Sequence, residues 1–428
     1  MEYSLLLHDG VIMGGFFLLS CIISYLCIPF ITRIAEKNHL FDRPDNNRKL
    51  HSRAVPTLGG SAIFFAFLLS FSVSPWADSM PGYSYLVGAL VILLFVGLKD
   101  DLIELSARTK LISQITAGGL VVFGSGALIT NFHGVLGLAH IPYWAAVPVS
   151  VVVIIAVINA VNLIDGIDGL AGGIGAIASA LFGGAFLYVG QVPLAMFSFC
   201  LTGALIGFLY YNFSPATIFM GDTGSMILGF LLAVQSIEFI KLSNHPEFSA
   251  IFTNTAPILA VSILAFPLFD TLRVIFKRFR RNKSIIRPGQ DHVHHELLRM
   301  GFSHKSASLM LYGQSLSLIA LMGCLATFNI NINILLSVLV LASMLVFPTN
   351  GFKRKLVSGL FGVDWSEYRS PLWGIEFGHH SIGPSNGNGA SKDFEYEMQS
   401  NGNGEHKREE EEMETEEAKE REIENIAV

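Results

Sequence analysis

Long apolar runs alternate with short polar connections from about residue 11 to about residue 348. A helix that crosses a bilayer needs about 20 mostly apolar residues. That ruler selects eleven segments, near 11–34, 57–75, 83–98, 111–129, 143–163, 167–189, 194–211, 225–241, 254–276, 309–328 and 331–348. The expected fold is an all-α integral membrane protein with eleven transmembrane helices. One stretch interrupts the pattern. NAVNLIDGIDGLAGG (159–173) sets Asn159, Asn162, Asp165 and Asp168 at three-residue steps across the boundary between the fifth and sixth segments.

Composition supports this reading: 51% of the residues are hydrophobic, 14% are charged and the mean hydropathy is +0.52, which excludes a soluble globular chain. Lys and Arg are uneven along it. The first connection holds Arg33, Lys37, Arg43, Arg48, Lys49 and Arg53, and the third holds Lys99, Arg108 and Lys110. The ninth runs from Lys277 to Arg287, whereas 72–82, 130–142 and 242–253 contain no Lys or Arg. Basic connections face the cytoplasm. The N-terminus is then expected outside and the C-terminus inside, consistent with an odd number of spans.

The net charge of −6 misleads, because a Glu-rich end carries much of the acid. Residues 1–350 are expected to form a polytopic membrane domain with cytoplasmic catalytic loops. A juxtamembrane cytoplasmic segment follows over 351–383, then an acidic, disordered tail over 384–428. The four cysteines, Cys21, Cys27, Cys200 and Cys324, lie in apolar runs and read as small buried hydrophobes. Nothing in the sequence calls for nucleic acid as a partner.

Ionisable groups gather on the side expected to be cytoplasmic. Asp100 and Asp101 end the third segment, Asp222 opens the eighth, and Asp291, His292, His294 and His295 lie in the ninth connection. Steps of three residues drift by about 60° on a helix. Either the helix breaks at Gly166 and Gly169, or the four residues of the row serve two adjoining pockets. Carboxylates this close require a cation or a donor. Hard oxygen donors suit Mg²⁺, which leaves coordination positions for water and phosphate. The histidines beside Arg287 read as a pocket for an anionic diphosphate rather than as a transition-metal site. Asp270 and Arg273 read as a structural pair facing the bundle interior. A secondary transporter is the alternative from another class, but it would hold its carboxylates near the bilayer midplane.

The segments KLHSRAVPTLGG, LKDDLIELSARTKL, NAVNLIDGIDGLAGG, FSPATIFMGDTGS, FPLFDTLRVI and RPGQDHVHHELLRMGFSH resemble, in order, those of the polyprenyl-phosphate N-acetylhexosamine-1-phosphate transferases. The resemblance covers roughly residues 10–350. It implies a Mg²⁺-dependent enzyme, with Mn²⁺ as a substitute. Such an enzyme passes a sugar-1-phosphate from a UDP-N-acetylhexosamine to undecaprenyl phosphate and releases UMP, in the inner membrane of a bacterium with the site facing the cytoplasm. Membrane lipids surround it, and a homodimer is compatible with the resemblance.

By the same resemblance, Asp222 and Asn162 hold the metal, and Asp100 and Asp101 form the acidic pair that activates the lipid phosphate or supports the metal. Asp168 meets the uracil, with Asn159 and Asp165 on the same wall. Lys49 and Arg53 steady phosphate charge, and Arg287, His292, His294 and His295 close over the nucleotide sugar. The HVHH pattern resembles the GlcNAc-1-phosphate branch more than the phospho-MurNAc-pentapeptide branch, which remains the alternative within the family.

Overall fold

A computed structural model describes residues 2–38, 55–252, 255–281, 292–328 and 330–346. Lys49, Arg53, Arg287 and the expected tail over 384–428 lie outside the described residues. The described chain is helical, with an isolated β bridge between Asn131 and His140. The helices, in order, are α1 (Glu2–Lys37), α2 (Gly59–Ser72), α3 (Tyr83–Ile103), α4 (Ala107–Gly124), α5 (Tyr143–Ile164), α6 (Leu170–Tyr188) and α7 (Val192–Asn212). They continue with α8 (Gly221–Ile240), α9 (Pro246–Ile251), α10 (Ala256–Ile263), α11 (Ala265–Phe279), α12 (Val293–Arg299), α13 (His304–Ala326) and α14 (Ile332–Val346).

A helix, or in one case a bent pair, stands at each of the eleven expected places. Length and composition qualify fewer of them as spans. Among the described residues, six helices are long and apolar enough to cross a membrane, or seven if α10 and α11, bent by 77° at their junction, form one broken span. Helix α2 has only 14 residues, about 21 Å at 1.5 Å per residue against a hydrocarbon core of about 30 Å. Eleven spans is therefore a count that hydropathy reaches and helix length alone does not.

Helix α8 is the axis of the bundle, with α2, α3, α5, α6 and α10 packed on it. Every residue from Thr223 to Ile237 is buried. Large apolar side chains on the outer helices are exposed instead, including Leu18, Leu26 and Phe30 of α1 and Leu316 of α13. That inside-out distribution is what lipid contact demands. Cys324, read from sequence as buried, belongs to this exposed surface, whereas Cys200 is buried.

Close approach at the start of α8 depends on missing side chains. A Cβ on Gly60 would run into the backbone of Thr223 and Gly224, and one on Gly97 would meet Thr223. The chain before α2 also pairs with the chain before α8: Phe219 N–H donates to Pro56 O at 2.8 Å, and Gly59 N–H to Phe219 O at 2.9 Å. These contacts set the α8 N-terminus among the ends of α2, α3 and α5, where the acidic residues collect.

Candidate active site

Four helix ends meet here: the C-termini of α3 and α5 and the N-termini of α4 and α8. Ser106 caps α4, accepting from Thr109 N–H at 3.3 Å. One turn into that helix, Lys110 extends its ammonium to 2.5 Å from Asp100 Oδ2 and 2.8 Å from Asp222 Oδ2. Asn162 donates through Nδ2 to Asp222 Oδ1 and, at 2.7 Å, to Ser225 Oγ. Asp222 thus meets a cation on one oxygen and an amide on the other. Asp100, only 5% exposed, also accepts from Leu105 N–H at 2.6 Å.

Asp101 works differently from its neighbour. Its Oδ1 accepts from Asp222 N–H at 2.7 Å, and its Oδ2 from the Thr223 hydroxyl at 2.5 Å and Thr223 N–H at 3.2 Å. It caps the N-terminus of α8 from another helix, where orphan N–H groups favour a carboxylate. It fixes the backbone of Asp222.

The electrostatics mark a site short of positive charge. Burial, then contact with Asp222, pushes the Asp100 carboxyl up to about 6 against Lys110 and Leu105 N–H. Burial pushes Asp101 up to about 7 despite its three donors. Asp165 reaches about 8, through burial and then the charges of Asp222 and Asp101. Burial alone would lower the Lys110 ammonium, but its bonds to Asp100 and Asp222 prevail and raise it.

Helix α5 ends at Ile164 and α6 begins at Leu170, with Gly169 at φ +77° between them. The row of oxygens therefore runs off a helix into a turn, and its members separate. Asn162 and Asp165 stay with the acidic cluster. Asn159 lies one turn deeper, where its amide donates to Gln114 Oε1 of α4 at 2.9 Å and to Ile155 O at 2.8 Å. The Asp168 carboxylate, 5% exposed, accepts from Ala216 N–H at 3.1 Å and lies 3.1 Å from His304 Nδ1. These bonds tie the turn to α13, and Ser308 adds a bond to Asp168 O at 2.8 Å.

Helix α12 brings the histidines to the same turn. The His294 ring lies against Gly166, where any Cβ would strike it. His292 has an extended backbone ahead of α12, which lets its ring stack on His294, with centroids 5.6 Å apart at 12°. Burial, then neighbouring positive charge, lowers His294 to about 3 and His295 to about 4, so both rings are neutral near pH 7.

Among the described residues, no group of three or more His, Cys, Asp or Glu is arranged around a metal position. The donor set nevertheless suits a hard cation: Asp222 and Asn162 offer oxygens beside Asp165, a carboxylate that accepts no hydrogen bond from the described residues. Lys110 was read from sequence only as an orienting loop charge, and its bridging role was missed. Its signal was present: a basic residue four positions after an N-cap, one turn into α4, within the segment that carries the acidic pair.

Residues 83–240, which contain this cluster, match the profile described as Glycosyl transferase family 4. A probable undecaprenyl-phosphate N-acetylglucosaminyl 1-phosphate transferase of Bacillus subtilis is 33% identical over 298 residues, covering 69% of this chain and 80% of that protein. The chain belongs to glycosyl transferase family 4. Two further proteins are similar over comparable lengths. The undecaprenyl-phosphate alpha-N-acetylglucosaminyl 1-phosphate transferase of Escherichia coli K12 is 28% identical over 316 residues, 70% of this chain and 80% of its own. The decaprenyl-phosphate N-acetylglucosaminephosphotransferase of Mycobacterium tuberculosis H37Rv is 32% identical over 318 residues, 69% and 78%.

Proposed function

We propose that this chain transfers GlcNAc-1-phosphate from UDP-GlcNAc to a polyprenyl phosphate, undecaprenyl phosphate in a bacterial inner membrane, and releases UMP. The observation that carries the reading is the Lys110 ammonium held between Asp100 and Asp222, inside the region matched to family 4 and to the transferases named above.

The chemistry requires two anions to meet. An oxygen of the lipid phosphate attacks the phosphorus bonded to GlcNAc, a new P–O bond forms, and the P–O bond to UMP breaks, with its electron pair leaving on UMP. The attacking phosphate is already ionised, so electrostatic stabilisation and in-line placement matter more than proton removal. Lys110 offsets negative charge at the junction of α3, α4 and α8. Asp101 holds the α8 N-terminus in place, and Asn162 orients the Asp222 carboxylate. Asp222 and Asn162, with Asp165 beside them, would hold Mg²⁺, which supplies Lewis-acid stabilisation to the diphosphate. His292, His294 and His295 line the nucleotide-sugar side.

The eleven-span topology, with the N-terminus outside and the C-terminus inside, accompanies this reading because it opens the cluster to a cytoplasmic nucleotide sugar. The clustering of four helix ends supports one active face. At the other end of the bundle, Lys241 past α8 bonds Gly126 O beyond α4 at 2.8 Å. Purified protein supplied with UDP-GlcNAc, undecaprenyl phosphate and Mg²⁺ should release UMP and form a GlcNAc-diphosphate lipid. UDP-MurNAc-pentapeptide should not replace the donor; if it does and UDP-GlcNAc does not, the sugar assignment is wrong.

A further inference from the structure

Asp270 lies on α11, just past the bend from α10, and is 0% exposed. Both of its oxygens engage the start of α12. Oδ2 is 2.9 Å from His292 Nδ1, and Oδ1 accepts from Val293 N–H at 3.0 Å. One turn further along α11, Arg273 lies 3.6 Å from Asp270 Oδ1 and donates to Glu296 Oε2 at 2.7 Å. The two helices are pinned at matched intervals, 270 and 273 on one against 292–293 and 296 on the other. Register and tilt are both set.

A buried set of ionisable groups is a poor device for stability alone, because apolar residues of the same volume usually do as well or better. Its physical advantage is orientation. A carboxylate accepts and does not donate, so the contact places a proton on His292 Nδ1 and leaves Nε2 as the ring nitrogen available to a ligand. The Val293 N–H bond fixes the backbone from which His294 and His295 extend. His294, 1% exposed, has neither ring nitrogen bonded among the described residues. It packs on Gly166, next to Asp165, and 4.3 Å from the His295 ring.

We infer that Asp270 is a positioning residue for the transfer reaction: it holds His292 with its proton on Nδ1 and sets α12 against the Asp165–Gly166 turn, so that Nε2, left as an acceptor, meets a hydroxyl of the nucleotide sugar. The inference rests on the transferase reading. Asp270 acts through His292 and touches no substrate. Asp270→Asn is nearly isosteric, but its amide N–H₂ facing Nδ1 moves the ring proton to Nε2.

The test is a double-mutant cycle in the assay with UDP-GlcNAc and undecaprenyl phosphate, using Asp270→Asn, His292→Gln and the pair. Asp270→Asn is expected to lower kcat/KM for UDP-GlcNAc on the order of 10- to 100-fold, as loss of a ring-orienting carboxylate does elsewhere, with KM for the lipid phosphate unchanged. In the His292→Gln background the same change should cost about twofold or less, because coupled residues are not additive. An equal cost in both backgrounds overturns the inference. If Asp270→Asn fails to fold, wild-type protein carrying ¹⁵N-histidine decides the matter. The His292 resonances, assigned with His292→Gln, should show a protonated Nδ1 and an unprotonated Nε2; the reverse tautomer overturns the inference. An inactive wild-type protein would instead overturn the transferase reading.

Discussion

Lys110 reaches from α4 to within 2.8 Å of the Asp222 carboxylate, across 112 residues of sequence. It is the cation that joins the acidic pair of α3 to the acid of α8. Lys110→Met removes that charge and leaves Asp100 and Asp222 facing each other. Turnover should fall on the order of 100-fold or more, the scale for loss of a preorganised electrostatic group, and Lys110→Arg should retain more activity than Met. Steady-state kinetics at saturating Mg²⁺ make the comparison, and full activity in Lys110→Met would remove Lys110 from the reaction.

Asp165 lies within the fields of Asp222 and Asp101 and has no hydrogen-bond donor among the described residues. A divalent cation relieves that repulsion. EDTA should abolish transfer, and Mg²⁺ should restore it. Asp165→Asn should raise the Mg²⁺ concentration for half-maximal rate about 10-fold or more. A Mg²⁺ titration of both proteins gives the answer, and superimposable curves would detach Asp165 from the cation.

Asp168 binds the α5–α6 turn to Ala216 N–H and His304. Asp168→Ala leaves that part-buried N–H without its acceptor, so the protein should lose about 1 kcal/mol of stability, read as a lower melting temperature in detergent. Asp168→Asn keeps an acceptor and should lose less. An unchanged melting temperature with a raised KM for UDP-GlcNAc would instead place this carboxylate on the uracil.

His294 gives the protein a pH dependence of known sign. Burial lowers its pKa from the usual 6.5 to about 3, so the unfolded chain binds a proton that the folded ring refuses. Its contribution to stability is full above about pH 6.5 and declines as pH falls from 6.5 toward 3, on the order of 1–2 kcal/mol between pH 7 and pH 5. Melting temperatures at those two pH values should differ less in His294→Leu than in the wild type. An identical difference would show that the ring takes up protons freely when folded.

Much of this arrangement was legible in the sequence, because apolar runs, basic loops and clustered acids are local signals. The helix positions, the break at Gly166 and Gly169 and the gathering of Asp100, Asp101, Asn162 and Asp222 all follow from patterns within a few turns. What escaped depends on contact across the bundle. A three-residue period shows that Asn159 differs in direction from Asp168, but only packing shows that it meets Gln114. Lys110 and Asp101 are neighbours of recognised acids, yet one bridges helices and the other caps α8. Asp270 and Arg273 were expected to pair with each other, and periodicity gave no sign that both also reach α12. Span number is a related case: hydropathy measures how apolar a segment is, whereas α2 and the bent α10–α11 pair show that it need not be one full-length helix.

The central claim is transfer of a sugar-1-phosphate, and the position of the donor's β-phosphorus tests it most directly. UDP-GlcNAc labelled with ³²P at the β-phosphate, incubated with the purified protein, undecaprenyl phosphate and Mg²⁺, should deliver its label to the lipid together with GlcNAc and leave UMP unlabelled, and Asp222→Ala should stop the delivery. Label recovered in a released nucleotide diphosphate, with GlcNAc alone on the lipid, would contradict the account.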